Sequence, residues 1–278
     1  MSYVKEALSA RELLANLTMR EIRGQYKRTI FGQLWSLVNP LASMLVYTIV
    51  FAFILRATPP PGNPSGLDIY PVWLLCGLLP WSFFAAVVNT GMGSLLSNAG
   101  LIQKVYFPRI VLPLSTVGAV GFNWLFEMTV LLVVLALCGA WILPWLPGLI
   151  LMMIVLTVFA AGVALMLSVA NVFFRDTQHL VGILLQIWMF LTPIIYPIDI
   201  IQQRSAHAGG LLGTPVTVYD LYRLNPMERF VAVFRDLLYN NRWPAWDDVT
   251  YCIAFAVIVF VVGLLVFRRK EHDLAEAL

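Results

Sequence analysis

An all-α integral membrane protein is the fold class this chain predicts, and three observations predict it. Of 278 residues, 60% are apolar or aromatic and 12% carry a formal charge, about half the charged share of a soluble domain. The charges are clustered: no Asp, Glu, Lys or Arg occurs in 29–55, 69–103, 110–126, 128–174 or 249–267, and 177–198 holds only His179. These apolar stretches are long and continuous, which selects a bundle of helices over a barrel of short alternating strands. A water-soluble globule and a disordered chain are excluded by the same numbers.

The first element, residues 8–30, predicts an interfacial helix, and residues 1–33 form this unit. At helical spacing Ala15, Met19, Ile22, Tyr26 and Ile30 share a stripe, with Arg20, Arg23 and Lys27 in a basic row beside it. Such a helix is an anchor against lipid headgroups or a docking surface for a partner. Nine charges in the first 28 residues, with no apolar core before a small-residue site, argue against a cleavable signal peptide.

A bilayer crossing takes about 20 largely apolar residues, and the stretches within 34–268 predict six: 34–55, 71–96, 110–138, 148–173, 180–198 and 249–267. The longest gap is divided at Pro144, Trp145, Leu146, Pro147 and Gly148. Pro80 after Gly77 predicts a kink or break in the second span, and Pro193 and Pro197 one in the fifth. Six spans place both termini on one side, residues 269–278 forming a tail there. Twelve of the 18 Lys and Arg residues fall on that side, which the positive-inside rule makes cytoplasmic. The net charge of +3 therefore reflects membrane topology more than nucleic-acid binding.

Between spans two and three, Leu101, Tyr106 and Phe107 stand beside Lys104 and Arg109 in a link of 97–109. Apolar groups at such a tip either dock a partner or pack back onto the protein's own helices. In the next link Asp176 is placed to cap the fifth span, with Arg175 as a headgroup anchor and His179 a polar end residue. The external stretch 199–247 is too long to lack structure. Asn225, Pro226 and Glu228 there mark a helix start. Met227, Phe230, Phe234, Leu237 and Leu238 line one face of that helix, and Glu228, Arg229, Arg235 and Asp236 the other. It lies flat in the interface as the default, or dips back between spans to line an exit.

Glu127 lies mid-span, where a carboxyl serves function or is hydrogen-bonded inside the bundle. Trp81, Phe83, Phe84, Trp124, Trp188, Phe190 and Tyr196 gather near the breaks. They either pack, as most aromatics in spans do, or face a cavity suited to the apolar faces of sugar rings. Cys76, Cys138 and Cys252 lie far apart without metal-ligand spacing and read as packing residues. No phosphate-cradling G-x-x-x-x-G-K-[ST] loop occurs, since none of the four Lys follows Gly, and no catalytic constellation is evident.

The runs GLLPWSFF at 77–84, NAGLIQKVYFPR at 98–109, NVFFRD at 171–176, LTPIIYP at 191–197 and LNPM at 224–227 together resemble the membrane subunit of ABC-2 type polysaccharide exporters, over residues 8–269. The resemblance implies a homodimeric permease of the bacterial cytoplasmic membrane that binds two copies of a separate ATPase. That ATPase, not this chain, would hold ATP and Mg. The cargo would be a lipid-linked glycan of the O-antigen, teichoic acid or galactan kind. It further implies that Leu101, Lys104, Tyr106, Phe107 and Arg109 couple to the ATPase, that the N-terminal helix is the interface helix at the gate, and that Asn225, Pro226, Phe230 and Phe234 belong to an external gate. The segment 202–217 is longer than the resemblance leads one to expect. Two other classes compete: an ion-gradient-driven lipid or glycolipid flippase using Glu127, and a glycan-modifying enzyme using Asp220, Glu228 and Asp236.

Overall fold

The computed structural model describes residues 11–25, 27, 29–54, 60–208, 217–271 and 273–274, the side chains of 206–208 excepted. Every regular element among the described residues is helical. In chain order these are α1 (Arg11–Gln25), α2 (Trp35–Tyr47, carried on as a wider π-type turn over Thr48–Ile54), α3 (Tyr70–Ser97), α4 (Val111–Leu137), α5 (Leu146–Phe173), α6 (Thr177–Phe190), α7 (Ile198–Ala208), α8 (Val218–Arg223), α9 (Pro226–Arg235) and α10 (Trp246–Lys270).

Five segments are long and apolar enough to cross a bilayer: Gly32–Ile54, Tyr70–Ser97, Val111–Leu137, Leu143–Phe173 and Trp246–Lys270. The stretch expected as the fifth of six spans is different. Its helix α6 has only 14 residues, about 21 Å of rise where a crossing takes about 20 residues. Helix gives way to a turn over 191–196, because Pro193 and Pro197 lack the N–H groups that would continue it. Pro80, by contrast, breaks nothing: α3 is continuous through it. The boundary between the third and fourth spans also falls earlier than expected. The chain turns at 138–142, where Gly139 takes φ +90°. Pro144 and Pro147 instead sit in the first turns of the next helical segments, where a missing N–H costs nothing.

Lipid is as apolar as leucine, so spans associate through close packing and a few polar links. The most apolar stretch of α3 is 78% buried, against 6% in the first span, so α3 and α5 form the centre and α2 the periphery. A Cβ on Gly91 of α3 would lie 2.7 Å from the Ala164 Cβ of α5. Asn171 of α5 donates to the Met92 carbonyl at 3.1 Å. Phe159 stacks on Phe84 at 5.1 Å and on Phe230 at 5.7 Å, carrying the core from α5 to α3 and α9.

Contacts sort the connections onto two faces. Arg20 reaches Asn98, Arg109 reaches Glu271, and Lys270 lies 5.6 Å from the Phe173 ring centre. Helix α1, both short links and the end of α10 therefore share one face, the link face. On the opposite, far face Ser65 donates to the Asn240 carbonyl at 3.1 Å and Tyr239 Oη to the Leu67 carbonyl at 2.8 Å.

Candidate functional site

The link face is built around a single helical turn, Ala99–Ile102, whose Ile102 is buried with Ile110, Leu112 and Phe267. The expected coupling residues separate here. Leu101 and Phe107 pack partly against that cluster. Lys104 is exposed, and Tyr106, 92% exposed, projects from the face. Arg109 is engaged: its backbone N–H donates to Glu271 Oε1 at 3.1 Å and its guanidinium to the Glu271 carbonyl. The link is thus a projecting Tyr106 held on an anchored base.

Helix α1 ends at Gln25, short of the expected 30, and Tyr26 lies outside the described residues. Its packing face is not the expected stripe. Leu13, Leu14 and Leu17 enter the link-face cluster, and Thr18 meets Gly118 of α4, where a Cβ would come within 3.0 Å. Ala15 and Met19 are left exposed, and Ile30 lies beyond the helix at 94% exposure. The stripe fails because a helix with leucines at 13, 14 and 17 buries more apolar area on that side. Of the basic row, Arg23 and Lys27 point outward, whereas Arg20 donates to Asn98 Oδ1 at 2.7 Å.

In the second link Arg175, Asp176 and His179 are all exposed. Asp176 does precede α6, but its carboxylate makes no capping bond. Its backbone is already helical (φ −69°, ψ −13°), not extended as a side-chain cap requires. Thr177 instead turns its hydroxyl back to the Phe174 carbonyl at 2.6 Å.

The far-face module departs most from expectation. Asn225 caps α9 as anticipated, accepting from the Met227 N–H at 3.0 Å, with Pro226 at the first position. The same oxygen accepts from Trp188 Nε1 at 2.8 Å, and the amide nitrogen donates to Thr192 Oγ1 at 3.0 Å. One side chain therefore fastens α9 to the end of α6. The helix does not lie flat: Met227, Phe230, Phe234, Leu237 and Leu238 are fully buried, and Glu228 and Arg235 on its other side are buried too, at 1% and 9% exposure. That face meets partners the sequence alone did not reveal, although Glu228 Oε2 and Arg235 Nε make no hydrogen bond. Arg223 contacts Asp248 at 2.6 Å and Glu228 at 3.5 Å, Arg229 also pairs with Asp248, and Arg235 donates to the Pro193 and Ile194 carbonyls at 2.6 and 2.5 Å. Asp248, acidic in the first turn of α10, was the available signal. Burial pushes the Glu228 carboxyl up to about 7, against the pull of Arg223 and Arg229.

The carboxylates considered for an enzyme are occupied by such contacts. Asp220 and Thr217 form a capping box that holds the Asp220 carboxyl below its usual range, and Asp236 pairs with Arg242 at 2.8 Å. Among the described residues no three His, Cys, Asp or Glu come together as a metal site.

The aromatic residues divide. Trp81 and Phe84 are buried against Trp188, at 6.0 and 5.2 Å between ring centres. Tyr196 is half-buried and donates to the Phe190 carbonyl at 2.7 Å. Phe83, Trp124 and Glu127 do line a cavity of about 420 Å³ between α2, α3 and α4.

A bundle of apolar helices with an anchored, projecting link on one face and a helical module inserted at the other defines a multi-span membrane protein. The chain belongs to the ABC-2 type transporter family, whose model matches residues 12–208. It is 29% identical over 275 residues to the O-antigen export system permease protein RfbA of Myxococcus xanthus, covering 99% of this chain and 98% of that protein. A Klebsiella pneumoniae protein of the same name is 30% identical, at 96% and 95% coverage. The polysialic acid transport protein KpsM of Escherichia coli is 26% identical, at 92% of each.

Proposed function

We propose that this chain is the permease subunit of an ATP-binding-cassette exporter that moves a lipid-linked polysaccharide across the bacterial inner membrane. The observation that carries this reading is Tyr106, projecting from a link whose base is fixed by Arg109–Glu271 and Arg20–Asn98. A contact that receives a push must project, and its base must not yield. The names of the relatives, an O-antigen export permease and a polysialic acid transport protein, supply the cargo class.

In this reading the link face is cytoplasmic, two copies of the chain form the exporter, and two ATPase subunits seat against Tyr106 and Lys104. ATP and Mg belong to those subunits. Closure of the ATPases displaces the link and moves α3, whose end the link continues. The loosely held α2 and α6 separate at the seam between copies, and the far-face module around Asn225, Pro226, Phe230 and Phe234 yields the exit.

Affinity purification of the tagged chain from native membranes in mild detergent tests the proposal. The expected result is a stoichiometric soluble subunit carrying a phosphate-binding loop. Reproducible recovery of the intact chain without one would overturn the reading and favour a gradient-driven flippase.

A further inference from the structure

The cavity holding Glu127 continues toward the link face. A second polar pocket of about 260 Å³ shares Gln25, Thr90 and Val120 with it and adds Glu21, Asn89 and Ser97. From Ser82 to Ser97 the two span 16 residues of α3, about 22 Å. A polar track thus runs from beneath the interface helix to mid-membrane within one subunit.

Its lining is specific in chemistry. Asn39 and Ser43 come from α2, Ser82 and Thr90 from α3, and Asn123 and Glu127 from α4. Trp35, Phe83 and Trp124 add aromatic surface, Phe83 and Trp124 stacking at 4.0 Å. Among the described residues no Lys or Arg lines either pocket. Two polar atoms here lack partners: the indole N–H of Trp124, a residue only 2% exposed, and Asn123 Oδ1, whose amide nitrogen donates to Gln25. Glu127 likewise makes no hydrogen bond or ion pair among the described residues.

Unpaired buried donors and acceptors cost free energy that a ligand can recover. A phosphate or carboxylate would meet Glu127 and a Glu21 already paired with Arg20 at 2.9 Å, with no lining cation left to hold it among the described residues. A hydroxyl-rich neutral ring meets amides, hydroxyls, a carboxyl and aromatic faces. We propose that this intrasubunit track binds a neutral sugar ring, with Trp124, Asn123 and Glu127 as its hydrogen-bonding end. The proposal rests on the export reading for its biological meaning, and the ring could come from the exported glycan or from a resident glycolipid headgroup.

The test places a photo-crosslinking phenylalanine derivative at Ser43, and at Val46, 55% exposed on the same helix, in the full chain in native membranes. Adducts are read by mass and carbohydrate stain, and co-purification of the ATPase is scored in the same membranes so that the two readings fail separately. A carbohydrate-bearing adduct at Ser43 and none at Val46 is expected. Trp124→Phe, which keeps the ring and loses the N–H, should weaken it by about fivefold or more, the value of one lost hydrogen bond. Asn39→Leu, on the peripheral α2, should do the same should Trp124→Phe lower abundance. An adduct persisting in cells unable to assemble the glycan assigns the ring to a glycolipid. Phospholipid adducts alone, or no adduct at Ser43 in an abundant protein, would overturn the proposal.

Discussion

Arg235 lays its guanidinium over the indole of Trp73, 3.6 Å from carbon to ring centre. Both amino groups of that guanidinium point at the turn after α6, donating to the carbonyls of Pro193 and Ile194. A cation this deeply buried is tolerable because the aromatic face and the free carbonyls of a proline-broken helix replace its water. Gly77 leaves it room, since a Cβ there would lie 3.0 Å from Arg235 Nη2.

Replacing Arg235 by Met should therefore loosen the 191–196 turn. A cysteine introduced at Ile195, 2% exposed in the folded chain, should react with a membrane-impermeant maleimide about tenfold faster in that background, since each charge-assisted bond lost is worth roughly 1.5–3 kcal/mol. Equal rates in both backgrounds would show that the guanidinium does not hold the turn.

The crossing of α5 and α10 should tolerate no side chain at its contact. A Cβ on Gly263 would lie 2.4 Å from the Gly162 carbonyl oxygen, and one on Gly162 2.7 Å from the Phe260 backbone. Gly263→Val is expected to destabilise by about 1–3 kcal/mol or more, seen as a lower melting temperature and reduced membrane abundance. Gly93→Val, with nothing within 4 Å of its Cβ position, is the matched control and should leave both nearly unchanged.

Glu228 gives the far-face module a pH dependence of definite sign. Its folded carboxyl titrates at about 7, above the ordinary 4.5. Below 4.5 the group is protonated folded or unfolded; between the two values only the unfolded chain loses the proton; above 7 both do. Module stability should therefore fall by up to about 3 kcal/mol as pH rises from 4.5 to 7, then level off. Glu228→Gln should flatten that slope, read as protease sensitivity of the 217–245 segment against pH.

Tyr106→Ala removes an exposed ring and should leave abundance and ATPase binding measurable, while export falls by about tenfold or more with ATP hydrolysis continuing, the loss expected of an interface anchor. Phe107→Ala should also lower abundance, because Phe107 packs against the link-face cluster. Normal export by the Tyr106 variant would remove the ring from the coupling contact.

Legibility followed the physics of each element. Charge gaps located the five long spans to within a few residues, because lipid leaves little freedom in the composition of a spanning helix. The Asn225 cap was readable for the same reason: its chemistry is local. The insertion of α9 was not. Glu228 and Arg235 look like a solvent face until Asp248, Arg223 and the turn carbonyls, all distant in sequence, are brought to them. Asp176 misled because a cap depends on backbone conformation as well as residue type. The docking side of α1 was misread because two apolar faces compete on a short helix, and only the packing against its neighbours decides between them.

Helix α1 touches both ends of one problem. Arg20 holds Asn98 at the start of the link, and five residues on, about 7.5 Å along the rod, Gln25 accepts from Asn123 within the polar track. A stiff helix pinned at two points works as a pushrod. Whatever moves Asn98 also bears on the latch at Asn123, so on the proposed reading the link and the polar track keep common time through α1 as well as through α3.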